Sequence, residues 1–269
     1  MTKRFQDRVI LITGASAGIG AETARQLAAE GARLALLARR EDKLAEVKAE
    51  VEALGAPVVV FAADVNDRAA LDAAVAGTLD AFGHIDIVLA NAGFGVTGPI
   101  FKLTVDDYRR QFETNFFGLL NTIFATLDAL KASRGQIGLL GSVAGVVGTP
   151  SASAYNASKF AVNGLGESIY HDLDELGISV TLIKPGFVDS EIRLLDRHGK
   201  LSGKRDPVPA WLVLSTPKAA RVILNALYKR KPEVTVTFHG KVFTWCKRFL
   251  PGATRFVIRR MSRGSLPKL

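Results

Sequence analysis

Tyr155 and Lys159 stand four residues apart in Tyr155-Asn156-Ala157-Ser158-Lys159, and Ser142 lies thirteen residues upstream. In a helix, positions i and i+4 share a face. A free phenol ionises near pH 10, and an ammonium held beside it favours the phenolate, so this pair could exchange protons nearer neutrality. A buried tyrosine with a satisfied hydroxyl is the bland alternative. A second motif gives the pair its weight.

That motif is Thr13-Gly14-Ala15-Ser16-Ala17-Gly18-Ile19-Gly20, which follows the apolar run Val9-Ile10-Leu11-Ile12 and precedes a helical pattern from Ala21 to Glu30. Strand, glycine turn and helix are the context a dinucleotide-binding loop requires. Glycines let the backbone turn tightly and approach a pyrophosphate, whose charge sits at the helix N-terminus. The alternative is an ordinary glycine-rich turn between strand and helix.

Together these residues resemble the short-chain dehydrogenase/reductase family over about residues 5 to 235. Gly14, Gly18 and Gly20 match its glycine loop, with Ser16 and Ile19 between them. Asp64-Val65 matches its adenine-contacting pair and Asn91-Ala92-Gly93 its Asn-Ala-Gly motif. Asn115, Ser142, Tyr155 and Lys159 match its catalytic tetrad. Pro185-Gly186-Phe187-Val188-Asp189-Ser190 is similar to its segment near the nicotinamide, with Ser190 in place of threonine. Ala90 and Gly141 depart from residues common in the family, and neither change removes a reacting group.

The resemblance implies an enzyme that interconverts a carbonyl and a secondary alcohol using a nicotinamide cofactor. Tyr155 would be the general acid, Ser142 would donate to the same oxygen, and Lys159 would lower the tyrosine's pKa and bond the nicotinamide ribose. Asn115 would hold a water linking Lys159 to solvent. An NAD-preferring site places Asp or Glu about twenty residues after the glycine loop. Ala38 occupies that place, followed by Arg39 and Arg40, which could pair with a 2′-phosphate. The expected cofactor is therefore NADP(H), although Ala17 lacks the basic side chain many NADP-binding relatives carry there.

The elements that must position these residues alternate. Strands are expected at Val9–Ile12, Arg33–Leu37, Val58–Phe61, Ile85–Ala90, Gln136–Leu140, Ser179–Ile183 and Glu233–Phe238. Helices are expected at Ala21–Glu30, Glu41–Leu54, Asp67–Phe82, Val105–Ser133, Tyr155–Leu176 and Pro217–Lys229. The pattern predicts one α/β domain, residues 1–239: a doubly wound Rossmann fold with a seven-stranded, mostly parallel sheet covered by helices on both faces. Residues 187–215 interrupt it with Gly199, Gly203, Pro207 and Pro209, and read as a substrate lid. Phe94, Val96, Val147, Phe187, Leu194, Leu195 and Trp211 would border the nicotinamide end, which hints at a lipophilic carbonyl substrate such as a steroid or lipid ketone.

The chain has 269 residues, 48% hydrophobic and 23% charged, which is ordinary globular composition. A single cysteine, Cys246, excludes an intramolecular disulfide and fits a reducing, cytoplasmic setting. Its neighbours Phe243 and Trp245 suggest a buried thiol and not a nucleophile. The four histidines are scattered without metal-ligand spacing, so no metal is expected, and His198 reads as a solvated loop residue. Lys3 and Arg4 before an apolar run faintly resemble a leader, but the glycine loop uses that run as a strand.

The net charge is +9, and residues 240–269 hold eight Lys and Arg with no Asp or Glu, leaving one net positive charge elsewhere. In that tail Val242, Trp245, Cys246, Phe249 and Leu250 recur at helical spacing among Lys241, Lys247 and Arg248. Phe256, Val257, Ile258 and Met261 then lie beside Arg255, Arg259 and Arg260. Such a basic amphipathic extension suits peripheral contact with an anionic membrane, and equally a helix packed on the catalytic domain or across a homo-oligomer interface. Basic charge alone favours nucleic acid, so none is expected. The resemblance implies a dimer or tetramer. Two other functional classes stay open: an NADPH-binding regulatory protein without turnover, and a membrane-surface adaptor acting through the tail.

Overall fold

The computed structural model describes residues 3–189 and 208–262, with the backbone alone considered at Met261 and Ser262. Strand β1 (Val9–Thr13) runs through the centre because both its faces are apolar. Ile10 and Ile12 point into one hydrophobic cluster and Leu11 into the other, as the two-residue strand period requires. Around it lie β2 (Arg33–Ala38), β3 (Val58–Ala62), β4 (Ile87–Ala90), β5 (Gln136–Leu140), β6 (Ser179–Lys184) and β7 (Glu233–Thr235). Their order is β3-β2-β1-β4-β5-β6-β7 and all six pairings are parallel.

Helices α1 (Gly18–Ala29) and α2 (Glu41–Ala53) cover one face, joined there by α7 (Thr216–Tyr228); their anchors include Leu27, Leu44, Val47, Ile223 and Leu224. Helices α3 (Arg68–Phe82), α5 (Gly118–Ser133) and α6 (Ser153–Asp174) cover the other face through Leu71, Val75, Ile123, Leu130 and Val162. This is the doubly wound, Rossmann-type sheet the alternation predicts. The strand order turns back between β1 and β4, and the crevice at such a switch point is where these sheets bind ligands.

Three elements differ from expectation, each for a local reason. The helix expected over Val105–Ser133 is α4 (Val105–Phe112), one π-helical turn (Glu113–Phe117), then α5. The π turn carries Asn115, whose amide bonds the backbone of Phe94 on both sides. The last strand stops at Thr235 because Thr237 caps the next helix, α8 (Phe238–Phe249), accepting from Gly240 N at 3.2 Å. Helix α1 starts at Gly18, three residues before the apolar pattern does, so the glycine turn merges into its first turn. The chain continues into α9 (Pro251–Ser262), which packs on α8.

Candidate active site

The glycine loop closes against the segment after β4. Gly14 has φ +67°, and a Cβ there would lie 2.8 Å from the Ala92 Cα. A Cβ on Gly20 would lie 2.6 Å from the Asn91 Nδ2. That amide donates to the carbonyls of Thr13 (2.9 Å) and Gly14 (3.1 Å), while Thr13 Oγ1 accepts from the N–H groups of Asn91 and Ala92. Asn91 therefore stitches β4 to the glycine loop. Gly18 has φ +55°, and Ala17 offers α1 no side-chain acceptor, so first-turn N–H groups lack a side-chain partner at this end. A backbone that excludes Cβ atoms beside an uncapped helix N-terminus fits a dinucleotide pyrophosphate.

The parallel register brings the ends of β1, β2 and β3 side by side, with Thr13 opposite Leu37 and Ala38 opposite Ala62. Arg39 Nη1 lies 3.5 Å from Asp64 Oδ2, and Arg40 Nη2 lies 3.5 Å from Ser16 Oγ. Arg39 thus stands beside a residue expected to touch the adenine, and Arg40 beside one expected at the pyrophosphate. Val65 turns its side chain into the core, with its carbonyl accepting from Asn121 Nδ2 at 3.0 Å, and Ile19 packs half-buried on the opposite cluster.

Ser142, Tyr155 and Lys159 meet beyond the end of β5. Lys159 is 4% exposed; its Nζ donates to the Leu140 carbonyl at 2.6 Å and lies 6.0 Å from the Tyr155 ring centre. Burial draws its pKa from 10.5 down to about 8. The Tyr155 ring is half-buried with its hydroxyl set deep, and burial pushes its pKa up, opposed by the Ser142 side chain. The direction is opposite to the one expected from spacing: among the groups of this chain, desolvation outweighs any pull from Lys159. Ser142 Oγ accepts from Ala144 N at 3.0 Å and donates to the Pro185 carbonyl at 3.3 Å. It caps the turn after β5 and must rotate to reach a substrate. Asn115 Nδ2 donates to Phe94 O (3.0 Å) and Ser158 Oγ (3.1 Å), and its Oδ1 accepts from Phe94 N. A Cβ on Gly93 would lie 3.0 Å from Asn115 Oδ1 and 3.9 Å from Lys159 Nζ, so Gly93 separates the two.

The Pro185–Val188 segment is gripped from two sides. The Pro185 carbonyl also accepts from Val143 N at 2.9 Å, and Val188 is buried beside Leu214. From the far side His239 Nε2 accepts from Phe187 N at 3.1 Å, the two rings stack 5.2 Å apart, and a Cβ on Gly186 would meet that same nitrogen at 2.6 Å. Burial lowers the His239 pKa, which keeps the acceptor neutral. Sequence reasoning missed His239; a histidine four residues past the last strand, second in α8, is the only local signal. Ser190, Leu194, Leu195, His198 and the middle of the expected lid lie outside the described residues. Val96 is fully buried and not open to a substrate, whereas Trp211 is 82% exposed. The Cys246 thiol is half-buried, and the adjacent Trp245 faces solvent. Among the described residues no cluster of His, Cys, Asp or Glu could hold a metal.

A family model for short chain dehydrogenases matches residues 8–199. The chain belongs to the short-chain dehydrogenase family. The chain is 33% identical to an 11-beta-hydroxysteroid dehydrogenase A of Sesamum indicum over 267 residues, 94% of this chain and 75% of that protein. A short-chain dehydrogenase/reductase from Burkholderia phymatum in complex with NAD superposes with a TM-score of 0.82 at 26% identity, covering 91% of this chain and 94% of the other. An alcohol dehydrogenase from Thermococcus sibiricus complexed with 5-hydroxy-NADP gives 0.74 at 27% identity, over 86% and 97%. Short-chain dehydrogenases of this fold thus bind either nicotinamide dinucleotide. The family makes this chain an oxidoreductase of the alcohol dehydrogenase and reductase type.

Proposed function

We propose that this protein is an NADP(H)-dependent carbonyl reductase/alcohol dehydrogenase acting on a lipophilic carbonyl or secondary alcohol. The observation that carries the reading is Tyr155 with the Ser142 side chain at its hydroxyl and the buried Lys159 amine under its ring, close to Gly93 in the segment that closes the glycine loop. Bound reduced nicotinamide supplies the hydride. Tyr155 donates its proton to the carbonyl oxygen as that oxygen gains charge. Ser142, once turned from Pro185, donates to the same oxygen. Lys159 places a positive charge under the tyrosine and faces the nicotinamide ribose. Asn115 holds the Phe94 backbone and, through water, relays protons to Lys159. Gly14, Ser16, Gly18, Ile19 and Gly20 line the pyrophosphate, Asp64 and Val65 the adenine, and Asn91, Ala92, Gly93, Pro185, Gly186, Val188 and Ser190 the nicotinamide half.

Arg39 and Arg40 favour the 2′-phosphate of NADP(H), because Ala38 stands where an NAD-preferring site has a carboxylate and two cations follow it. Arg39→Asp should weaken NADPH binding by about tenfold or more and spare NADH; an unchanged ratio would withdraw the assignment. Residues 187–215 act as lid. The exposed Phe124 of α5 and Phe160 of α6 lie on one side of the sheet and support a homo-oligomer through those helices. The basic tail supports peripheral contact with a membrane, on the exposed stripe considered in the Discussion.

The test is a panel of aldehydes and ketones, from small and polar to steroid-sized, followed by NADPH consumption. Turnover should favour large apolar carbonyls, and Tyr155→Phe should lower kcat by about 10²–10⁴-fold while leaving nucleotide binding intact. A variant that kept most of its turnover would remove Tyr155 from the chemistry.

A further inference from the structure

A cavity of about 360 Å³ lies between the turn after β5 and the two C-terminal helices. Val147 and Gly148 form one wall, and Lys247, Thr254, Arg255 and Ile258 the other, with Arg259 beside them. The inner wall belongs to the catalytic turn: Gly145 N donates to the Ser142 carbonyl at 3.0 Å, and Val147 N to the Val143 carbonyl at 3.0 Å. An occupant of this cavity therefore lies against the segment that carries Ser142.

The lining is divided by chemistry. Val147 and Ile258 supply apolar surface, and Thr254 is buried with its hydroxyl spent on the Leu250 carbonyl at 3.0 Å. Lys247 from α8 and Arg255 from α9 bring positive charge from two different helices. Neither has a carboxylate partner among the described residues, and no Asp or Glu occurs between Phe238 and Leu269. Cations crowded round one concavity repel each other, and such a cleft concentrates anions. Apolar surface from Val147 and Ile258 beside cations from two helices matches an amphiphile with an anionic head.

We infer that this cavity seats the carboxylate or phosphate head of an amphiphilic carbonyl substrate, whose apolar stem crosses Val147 toward Tyr155. The inference rests on the reductase reading for the substrate's carbonyl, but the anion site can be read without turnover. In the full-length protein, a long-chain oxo-fatty acid should be reduced with a kcat/KM about tenfold above its methyl ester. In Lys247→Ala/Arg255→Ala that gap should close while the ester's kcat/KM stays unchanged. Equal rates for acid and ester in the unaltered protein, or a gap that survives the double substitution, overturns the proposal.

Calorimetry separates this from failure of the reductase reading. Dodecanoate, which has no reducible carbonyl, should bind the unaltered protein and not the double variant, even if no carbonyl is ever turned over. No dodecanoate binding defeats the anion site. Inorganic phosphate binding as tightly as dodecanoate defeats the amphiphile. Phosphatidylserine vesicles test the other source of such a head: a double variant that loses vesicle binding yet keeps the acid-over-ester preference would assign the cavity to membrane lipid and overturn the substrate assignment.

Discussion

Lys159 holds an ammonium almost without water, and its environment draws its pKa down to about 8. The consequences have definite signs. Between pH 8 and 10.5 the unfolded chain binds this proton and the folded chain does not, so stability from this site rises with pH across that window; below pH 8 both states are protonated and the full burial penalty applies. Lys159→Met should therefore melt above the unaltered protein at pH 7, by up to the order of 3 kcal/mol less whatever the Leu140 carbonyl loses, with the gap closing toward pH 10.5. A pH-independent gap would show that the amine is not desolvated. If the charge is needed for turnover, kcat/KM for NADPH in the unaltered protein should fall as pH rises through about 8, since that parameter reports the free enzyme. His239 sets the acid side. Its lowered pKa means that folding opposes its protonation, so stability falls as pH drops below 6.5 and the Phe187 N–H loses its acceptor. The sequence placed Tyr155 and Lys159 on one helix face correctly but pointed the tyrosine's pKa in the wrong direction, because desolvation depends on everything packed around the pair.

The glycine turn and the π turn do the positioning. Each departs from regular structure where a backbone or an amide must come unusually close, and such departures concentrate at functional sites. Gly20→Ala puts a Cβ against the Gly14 carbonyl and 2.6 Å from Asn91 Nδ2. The clash opens the Asn91 bridge between β4 and the glycine loop, so the variant should lose about 2 kcal/mol or more and bind NADPH poorly. Gly164→Ala in α6 is the control: its Cβ would meet nothing within 4 Å, and the helix should gain up to about 1 kcal/mol with cofactor binding unchanged. Fluorescence titration of NADPH and thermal melts read both. The π turn illustrates why Val105–Ser133 looked continuous: one extra residue in a single turn leaves the apolar periodicity on either side intact, and only its pairing with Phe94 reveals it.

Across the whole molecule, the C-terminal helices are both packed and exposed. One edge of α8 seats on the sheet and catalytic turn, where a Cβ on the buried Gly240 would lie 2.8 Å from Val143 Cγ2. The opposite face presents Phe238 (81% exposed), Val242, Trp245 (57%) and Phe249 (59%) at spacings of four, three and four, beside Lys241 and Arg248. No helix among the described residues is long and apolar enough to cross a membrane. An exposed aromatic stripe flanked by cations suits the surface of an anionic bilayer. Vesicles containing phosphatidylserine should therefore co-sediment the protein, and high salt should weaken the binding. Trp245→Asp/Phe249→Asp should abolish it without changing turnover of a small soluble ketone; equal sedimentation by the variant would remove the stripe from membrane contact. Substitution is preferable to truncation after residue 239, because α8 begins at Phe238 and carries the His239 contact to Phe187.

The family, the parallel sheet, the glycine loop and the Ser142–Tyr155–Lys159 set were legible in the chain because each depends on local properties. Apolar runs alternate with helical periods, glycine occurs where a Cβ cannot fit, and reacting groups keep their spacing along a helix or after a strand. Other features depended on residues distant in sequence. The Ser142 hydroxyl is turned toward Pro185, and Asn115 is held by Phe94 and Ser158. His239 grips a loop fifty-two residues earlier, and a basic cavity opens against Val147. Desolvation, hydrogen-bond choice and the facing of one helix on another are set by what packing brings alongside, and no local pattern carries that information.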